Sequence, residues 1–585
     1  MRSTFALAAA LALIGGAAAP VLARHPVSAH HRRTATHAAP GPSASRGTGI
    51  VSAADPRAAA AGATILRQGG SAADAAIATM LALTVVEPQS SGIGGGSYLV
   101  FRDTKGTIQT YDSRETAPHA ATGAWFLGPD GEPRAFEDVV PGGTSVGVPG
   151  NVRMAAAASH EHGKLAWKAL FQPAIALARD GFLVTPRLHN ALAGERSTAG
   201  FSAGGRKLFY TADGKPLGVG RRVRNPALAA FMTTLAARGP EAFYSGANAA
   251  ALVRTVNSAA HNPSPMTVGD LATYSAKERP PVCGTYRRHM ICGMGPSSSG
   301  GIAVIQTLKM LERFDLAALG PNSPTAWHLI AEAMRLAYAD RDQYVGDPDY
   351  VAVPLAGLID PAYLAERSNL ISPTKASATV VAGVPAGAPK MALGVEAAEH
   401  GTSSFATADS AGNVASITST IESGFGSGLV VNGYYLNNEL TDFSFAPAVD
   451  GVPVANRVEG GKRPRSSMSP TIVTGPDGHV RLAVGAAGGS TIPAQVIKAI
   501  IGVLDWKMSA QAAIAAPGIF APSGPNVYVE RGTPLEAMIP ALNALGHASV
   551  KTIPPQTFKA NAIEWAGGRW VGAADPRSEG VAVSQ

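Results

Sequence analysis

Two cysteines stand in 585 residues, charged residues make up 15% of the chain, and no long apolar run follows the first twenty residues. Each scarcity excludes something. A net charge of +7 spread over so long a chain, with few basic runs, is a poor footprint for nucleic-acid binding and points instead to a small-molecule enzyme. Without a second long apolar run there is no support for a membrane protein. No repeat appears at solenoid periods. The 66 glycines and 43 prolines are about 19% of the chain, above average but short of the roughly 25–30% that marks low-complexity disorder. With 46% hydrophobic residues, the chain can bury a large core. Length alone gives a soft prior near four domains, although intertwined α/β folds of this size behave as one unit.

What is present begins at the N-terminus. Met1 and Arg2 precede an apolar run, residues 5–19, that is short for a membrane span, and Val21 and Ala23 have the small-residue spacing of a signal-peptidase site. This reads as a signal peptide over 1–23; an N-terminal anchor is the alternative. Residues 24–46, rich in His, Ala, Pro and Ser, read as a disordered tail, with His30, His31 and His37 solvated rather than metal-bound. His160-Glu161-His162 is too closely spaced for ligands on one helix face, and no metal or other cofactor is expected. Export implies an oxidising compartment, so the two cysteines are considered as a pair. In PVCGTYRRHMICGM, a two-residue turn at Arg287-Arg288 sets Cys283 opposite Cys292 as a non-hydrogen-bonded pair, about 4.5 Å apart at Cα, which predicts a cross-strand disulfide.

Ser71 and Asp74 have capping-box spacing before an Ala-rich run to Val86, which reads as a buried helix. Gly92, Gly94, Gly95 and Gly96 follow that helix without a Walker lysine, so close backbone packing is expected there rather than a phosphate loop. Residues 324–342 have helical periodicity, with their charges expected on a solvated face. From about Lys375 to His400 the composition is that of a linker. Beyond it, residues 403–409 and 414–420 read as a hairpin around Ser410-Ala411-Gly412-Asn413, and a three-residue loop pairs Thr402 with Thr420.

A threonine hydroxyl is a weak nucleophile unless a base takes its proton, and cutting the chain before the residue supplies its own amine as that base. Thr402, after a linker and at the head of a strand, is so placed, although an ordinary strand threonine is the local default. Downstream, Glu439 and Asp442 in LNNELTDF are suited to an ammonium group or to a turn. Ser466 and Ser467 lie side by side in KRPRSSMSP. Gly488 and Gly489 in AAGGS offer backbone amides to a developing oxyanion, or simply a tight turn.

Together these segments resemble the γ-glutamyltransferase family of N-terminal-nucleophile hydrolases. The resemblance runs from about Gly47 to the C-terminus through EPQSSGIGGGS, YDSRETAP, SVGVPGN, PSSSGG, ADRDQYVGDP, LNNELTDF, KRPRSSMSP, AAGGS and GAADPRSEG. It implies an α+β fold, a four-layer αββα sandwich. It also implies a precursor that cuts itself before Thr402 into a large fragment of roughly 24–401, comprising the tail and a large subunit, 47–401, and a small subunit, 402–585, which stay together as a heterodimer. Carried over by position, Thr402 is the nucleophile and Thr420 orients it. Arg114, Ser466 and Ser467 hold a substrate α-carboxylate; Glu422, Glu439 and Asp442 surround its ammonium; Gly488 and Gly489 form the oxyanion hole. The implied partners are glutathione or another γ-glutamyl compound and an amino-acid or dipeptide acceptor, with neither nucleic acid nor a stable membrane span.

This chain departs from the commonest family pattern at several points. Ser403-Ser404 follow the nucleophile where Thr-His is frequent, Ala486-Ala487 replace Ser-Pro, and Glu422 stands where many members have Asn. The lid-like segment between Phe443 and Lys462 is short, with the single aromatic Phe445, so no tyrosine gate is expected. Competing readings are a glutaryl or cephalosporin acylase or a poly-γ-glutamate hydrolase of the same family, a non-catalytic exported binding protein, and a serine hydrolase built on Gly143-Thr144-Ser145-Val146-Gly147. The acylase reading leaves Glu439 and Asp442 without an ammonium to meet.

Overall fold

The computed structural model describes Ala44–Ser45, residues 48–394 and residues 401–585. The segment expected to be a signal peptide, most of the expected tail with its three histidines, and the end of the expected linker lie outside the described residues. Ala44–Ser45, inside the segment expected to be a tail, forms a short strand paired with Trp570 and Val571.

Two seven-stranded sheets, antiparallel throughout, form the centre. In the first the order is Val581–Ser584, Ile50–Ala53, Ser403–Ala408, Val414–Thr420, Gly96–Arg102, Ile108–Asp112 and Lys277–Arg279. In the second it is Ala44–Ser45, Arg569–Ala574, Lys559–Ala566, Val480–Ala487, Thr471–Thr474, His289–Gly293 and Val282–Tyr286. Their facing sides bury Ile50, Val100, Ala406, Ile472, Ala483 and Ile563 between them. Helices Pro56–Arg67 and Ala72–Val86 cover the outer face of the first sheet; Gly300–Leu311, Pro324–Tyr344 and Ile492–Leu504 cover the second. The layers therefore run helix, sheet, sheet, helix, the α+β sandwich that the sequence resemblance implies.

Local chemistry explains the elements nearest the site. The helix Ala72–Val86 starts in a complete capping box between Ser71 and Asp74, and all its residues are buried because the sandwich covers it on every side. The hairpin of Ser403–Ala408 with Val414–Thr420 closes on a loop between Asp409 and Asn413, whose Gly412 has φ 98°, a value that favours glycine. Its register, with Ser403 opposite Ser419, brings Thr402 level with Thr420. At the other hairpin, Arg287 and Arg288 both take positive φ, and Cys283 faces Cys292 in a disulfide with a Cα separation of 4.2 Å.

The helix Pro324–Tyr344 differs from the sequence expectation. Its charges are not on a solvated face: Glu332, Arg335, Asp340 and Arg341 are all buried. Arg335 pairs with Glu332, Asp340 with Arg367, and Arg341 donates to Ser299 and Ser467. Packing against the helix Gly300–Leu311 and under later segments that supply Arg367, Ser377 and Ser467 covers the face that helical periodicity alone left to solvent.

Candidate active site

Thr402 sits at the first residue before the strand Ser403–Ala408 and is 5% exposed. Its hydroxyl donates to Thr420 Oγ1 at 3.3 Å, and the same Thr420 oxygen accepts the Glu422 amide at 2.8 Å. Thr420 Oγ1 thus accepts from both sides, which fixes its position against Thr402. Glycines make the approach possible. A Cβ on Gly95 would lie 1.9 Å from Thr420 O, and one on Gly401 would lie 1.7 Å from Glu422 O. The glycine run 92–96 therefore serves close backbone packing, because neighbouring strands occupy the space a side chain would need.

Arg114 follows the strand Ile108–Asp112 and is 1% exposed. Its guanidinium donates to Glu439 through Nη1 and to Asp442 through Nη2, with further bonds to the carbonyls of Pro464 and Arg465 at 3.3 and 3.0 Å. Glu439 and Asp442 begin and end a short 3-10 helix, which points both carboxylates at the same guanidinium. Ser466 and Ser467 are buried beside it. Ser467 accepts from Arg341 Nη2 at 2.8 Å, and Ser466 accepts the Met468 amide at 3.1 Å. Glu422 is buried next to Thr420 and accepts from Asn438. The positions proposed for the carboxylate and for the ammonium thus meet in one cluster, where Arg114 is bonded to two of the three acids.

Sequence reasoning missed Glu115, which stands beside Arg114 in YDSRETAP. It is fully buried, with Gly96 and Gly147 leaving room for its side chain. Neither of its oxygens has a donor among the described residues; its carboxyl faces that of Glu439. Two buried carboxylates in contact share a proton, since ionising both costs too much. Burial, only partly offset by Arg114, pushes Glu115 up to about 8. Burial likewise carries Glu439 well above the usual carboxylate range. Arg114 stays charged, because Glu439 and Asp442 outweigh the cost of its burial.

A second group also escaped the sequence. Glu87, in EPQSSG, accepts from Ser403 Oγ at 2.6 Å and lies 3.3 Å from both Lys559 Nζ and Arg187 Nε. Burial would raise its pKa, but Lys559, Arg187 and Ser403 together bring it below the ordinary value. Residues 87, 187, 403 and 559 carry no local signal that they meet.

Gly488, with φ 118°, stands between the strand Val480–Ala487 and a 3-10 turn, Gly489–Thr491, that leads into the helix Ile492–Leu504. The first amides of a helix have no partner within it. Gly488 and Thr402 line one cavity of about 330 Å³, together with Gly401, Arg187 and Lys559. That arrangement sets the Thr402 hydroxyl and the Gly488 turn around one cavity, with the Thr420 hydroxyl behind Thr402. The alternative serine site is absent: Ser145 is fully buried and its hydroxyl donates to Val140 O and Gly142 O. Phe445, in the short lid-like segment, stacks on Phe126.

The sequence pattern described as Gamma-glutamyltranspeptidase matches residues 58–585. The chain is similar to the glutathione hydrolase proenzyme of Bacillus subtilis (strain 168), with 36% identity over 546 residues, 92% of this chain and 91% of that protein. It is equally similar to the acylase ACY 1 proenzyme of Pseudomonas sp. (strain SE83), with 36% identity over 92% of this chain and 94% of the relative. Among solved structures, cephalosporin acylase from Bacillus halodurans superposes with a TM-score of 0.81 at 26% identity, covering 95% of this chain and 99% of that one. With the sandwich, the threonine pair and these likenesses together, the chain belongs to the γ-glutamyltranspeptidase family of enzymes.

Proposed function

We propose that this protein is an exported γ-glutamyltransferase that cuts itself between Gly401 and Thr402 and then cleaves γ-glutamyl amides, glutathione among them, through a threonyl ester. The observation that carries the reading is Thr402 at the head of its strand, 3.3 Å from Thr420 Oγ1 and open to a cavity it shares with Gly488.

In the first reaction Thr402 Oγ1 adds to the Gly401 carbonyl carbon. The C–N bond breaks, the nitrogen takes up the proton to become a free amine, and water hydrolyses the resulting ester. The fragments, once residues 1–23 are removed, are a large one from about residue 24 to 401, which includes the large subunit 47–401, and a small subunit, 402–585, retained as a heterodimer. In turnover the new amine accepts the Thr402 hydroxyl proton as Oγ1 adds to the γ-carbonyl. Gly488 and Gly489 amides stabilise the oxyanion. The leaving amine takes the proton, and the ester passes its acyl group to water or to the amine of an amino acid or dipeptide. Arg114, with Ser466 and Ser467, receives the α-carboxylate. The excess of carboxyls at Glu115, Glu422, Glu439 and Asp442 over the single Arg114 supports an acyl group that brings its own cation, as a γ-glutamyl ammonium does.

The second reading, a glutaryl-type acylase, is favoured by the likeness to the two acylases. Chromophore release from γ-glutamyl and glutaryl anilides, each with and without glycylglycine, decides between them on protein shown by mass to be cut. Release only from the γ-glutamyl compound, accelerated by the dipeptide, supports a transferase; preference for the glutaryl compound overturns it. No helix among the described residues is long and apolar enough to cross a membrane. Export rests on residues 1–23 and is tested by the N-terminal sequence of the mature large fragment.

A further inference from the structure

The cavity beside Thr402 is not lined by Arg114, Glu439, Asp442, Ser466 or Ser467. It therefore offers a wall separate from the cluster assigned to the acyl group. At about 330 Å³ it has the capacity for a small ligand. Two cations face it. Arg187, at the start of the helix Pro186–Gly194, is 27% exposed in its side chain and lies 3.3 Å from Glu87 through Nε. Among the described residues its terminal guanidinium nitrogens make no hydrogen bond. Lys559 enters from the other sheet, is 4% exposed, and spends one contact of 3.3 Å on the same Glu87. The remaining acid at the cavity, Glu195, is exposed at the rim. Glu87 has only two oxygens to share among Arg187, Lys559 and Ser403, so the inner wall keeps unspent N–H donors and an excess of positive charge.

We propose that Arg187 and Lys559 form a carboxylate subsite for the amine side of the reaction, the leaving group of the donor and the incoming acceptor. The chemical class is an amine that carries a carboxylate close to its nitrogen: an amino acid or short peptide rather than a neutral amine. The guanidinium fork suits a carboxylate, and a buried ammonium beside it adds charge without needing a second fork. Lys559, brought down to about 8 by burial and by Arg187, is returned toward its charged form by an arriving anion. The inference rests on Thr402 as the acyl-transfer centre, though not on which acyl group is carried.

The test uses mass-verified, cut protein and two leaving groups, para-nitroaniline and its 3-carboxylated counterpart, each joined to γ-glutamyl and to glutaryl. The quantity read is the ratio of kcat/KM, carboxylated over neutral, for whichever acyl group is released. Arg187→Gln is expected to lower that ratio at least about tenfold, the range for a lost charge-assisted hydrogen bond, and Arg187→Lys to recover most of it. An unchanged ratio in Arg187→Gln overturns the subsite. Should only glutaryl be released while the ratio still falls, the subsite stands and the γ-glutamyl reading fails. Release from neither series overturns both.

Discussion

Replacing Glu439 with Gln tests the shared proton directly. In the folded protein Glu115 stays protonated up to about pH 8, whereas in the unfolded chain it ionises near 4.5. Its folded pKa is raised, so the folded state holds the extra proton between those values. The stability that Glu115 contributes is therefore fully present below 4.5, falls as pH rises through the window, and is lost above 8, with Glu439 adding a loss of the same sign. At about 1.4 kcal/mol per pH unit, 3.5 units give a loss on the order of 5 kcal/mol. Unfolding entropy of roughly 2.1 cal/mol/K per residue over about 540 residues is about 1.1 kcal/mol/K, which converts that loss to about 4 °C. In Glu439→Gln the amide donates to Glu115 while its oxygen still accepts from Arg114, so Glu115 ionises earlier and the slope flattens. The assay is the apparent melting temperature of cut protein at a fixed heating rate, from pH 5 to 9, for wild type and variant. Parallel curves would refute the shared proton.

Thr402→Ala should remain one uncut chain on denaturing gels and by mass; efficient cutting at Gly401 would remove Thr402 as the trigger. Thr420→Val leaves both the Thr402 hydroxyl and the Glu422 amide without their acceptor. It should lower kcat by about 10- to 100-fold with a smaller change in KM, and a change confined to KM would contradict an orienting role. Gly95→Ala sets a methyl group against Thr420 O and should cost more than about 3 kcal/mol, seen as a fall in melting temperature together with incomplete cutting. Cys283→Ser paired with Cys292→Ser reopens a short loop and should cost about 2–3 kcal/mol with activity retained. An unchanged denaturation midpoint would show that the disulfide contributes nothing.

Legibility in the sequence followed the distance between partners. The capping box at Ser71 and Asp74, the loop at Ser410-Ala411-Gly412, and the Arg287-Arg288 turn are local signals: the first starts a helix, the second puts Thr402 level with Thr420, and the third sets Cys283 opposite Cys292. The proximity of Arg114 to Glu439 and Asp442 was accessible only through the family resemblance, since more than 300 residues separate them. Even that resemblance assigned the arginine and the acids to different ends of a substrate, and gave no sign that they bond to one another while Glu115 is left facing Glu439. The buried charges of Pro324–Tyr344 escaped because a periodic pattern identifies the apolar face and says nothing of what later segments lay over the polar one. Glu87, Arg187 and Lys559 come from a helix end, a helix start and a strand in the other sheet; each is unremarkable in its own neighbourhood.

The strand order has a consequence for a chain broken at Gly401. In the first sheet Ile50–Ala53 lies between Val581–Ser584 and Ser403–Ala408, and in the second Thr471–Thr474 lies next to His289–Gly293. Pieces from either side of the break are thus laced through both sheets, and neither could slide out without tearing hydrogen-bonded neighbours from the other. Nicking would be silent under native conditions and irreversible in a particular sense. Once denatured, the halves would have to find each other again, so recovery of activity would become second order in protein and fail on dilution, whereas the uncut chain would refold at a rate independent of concentration.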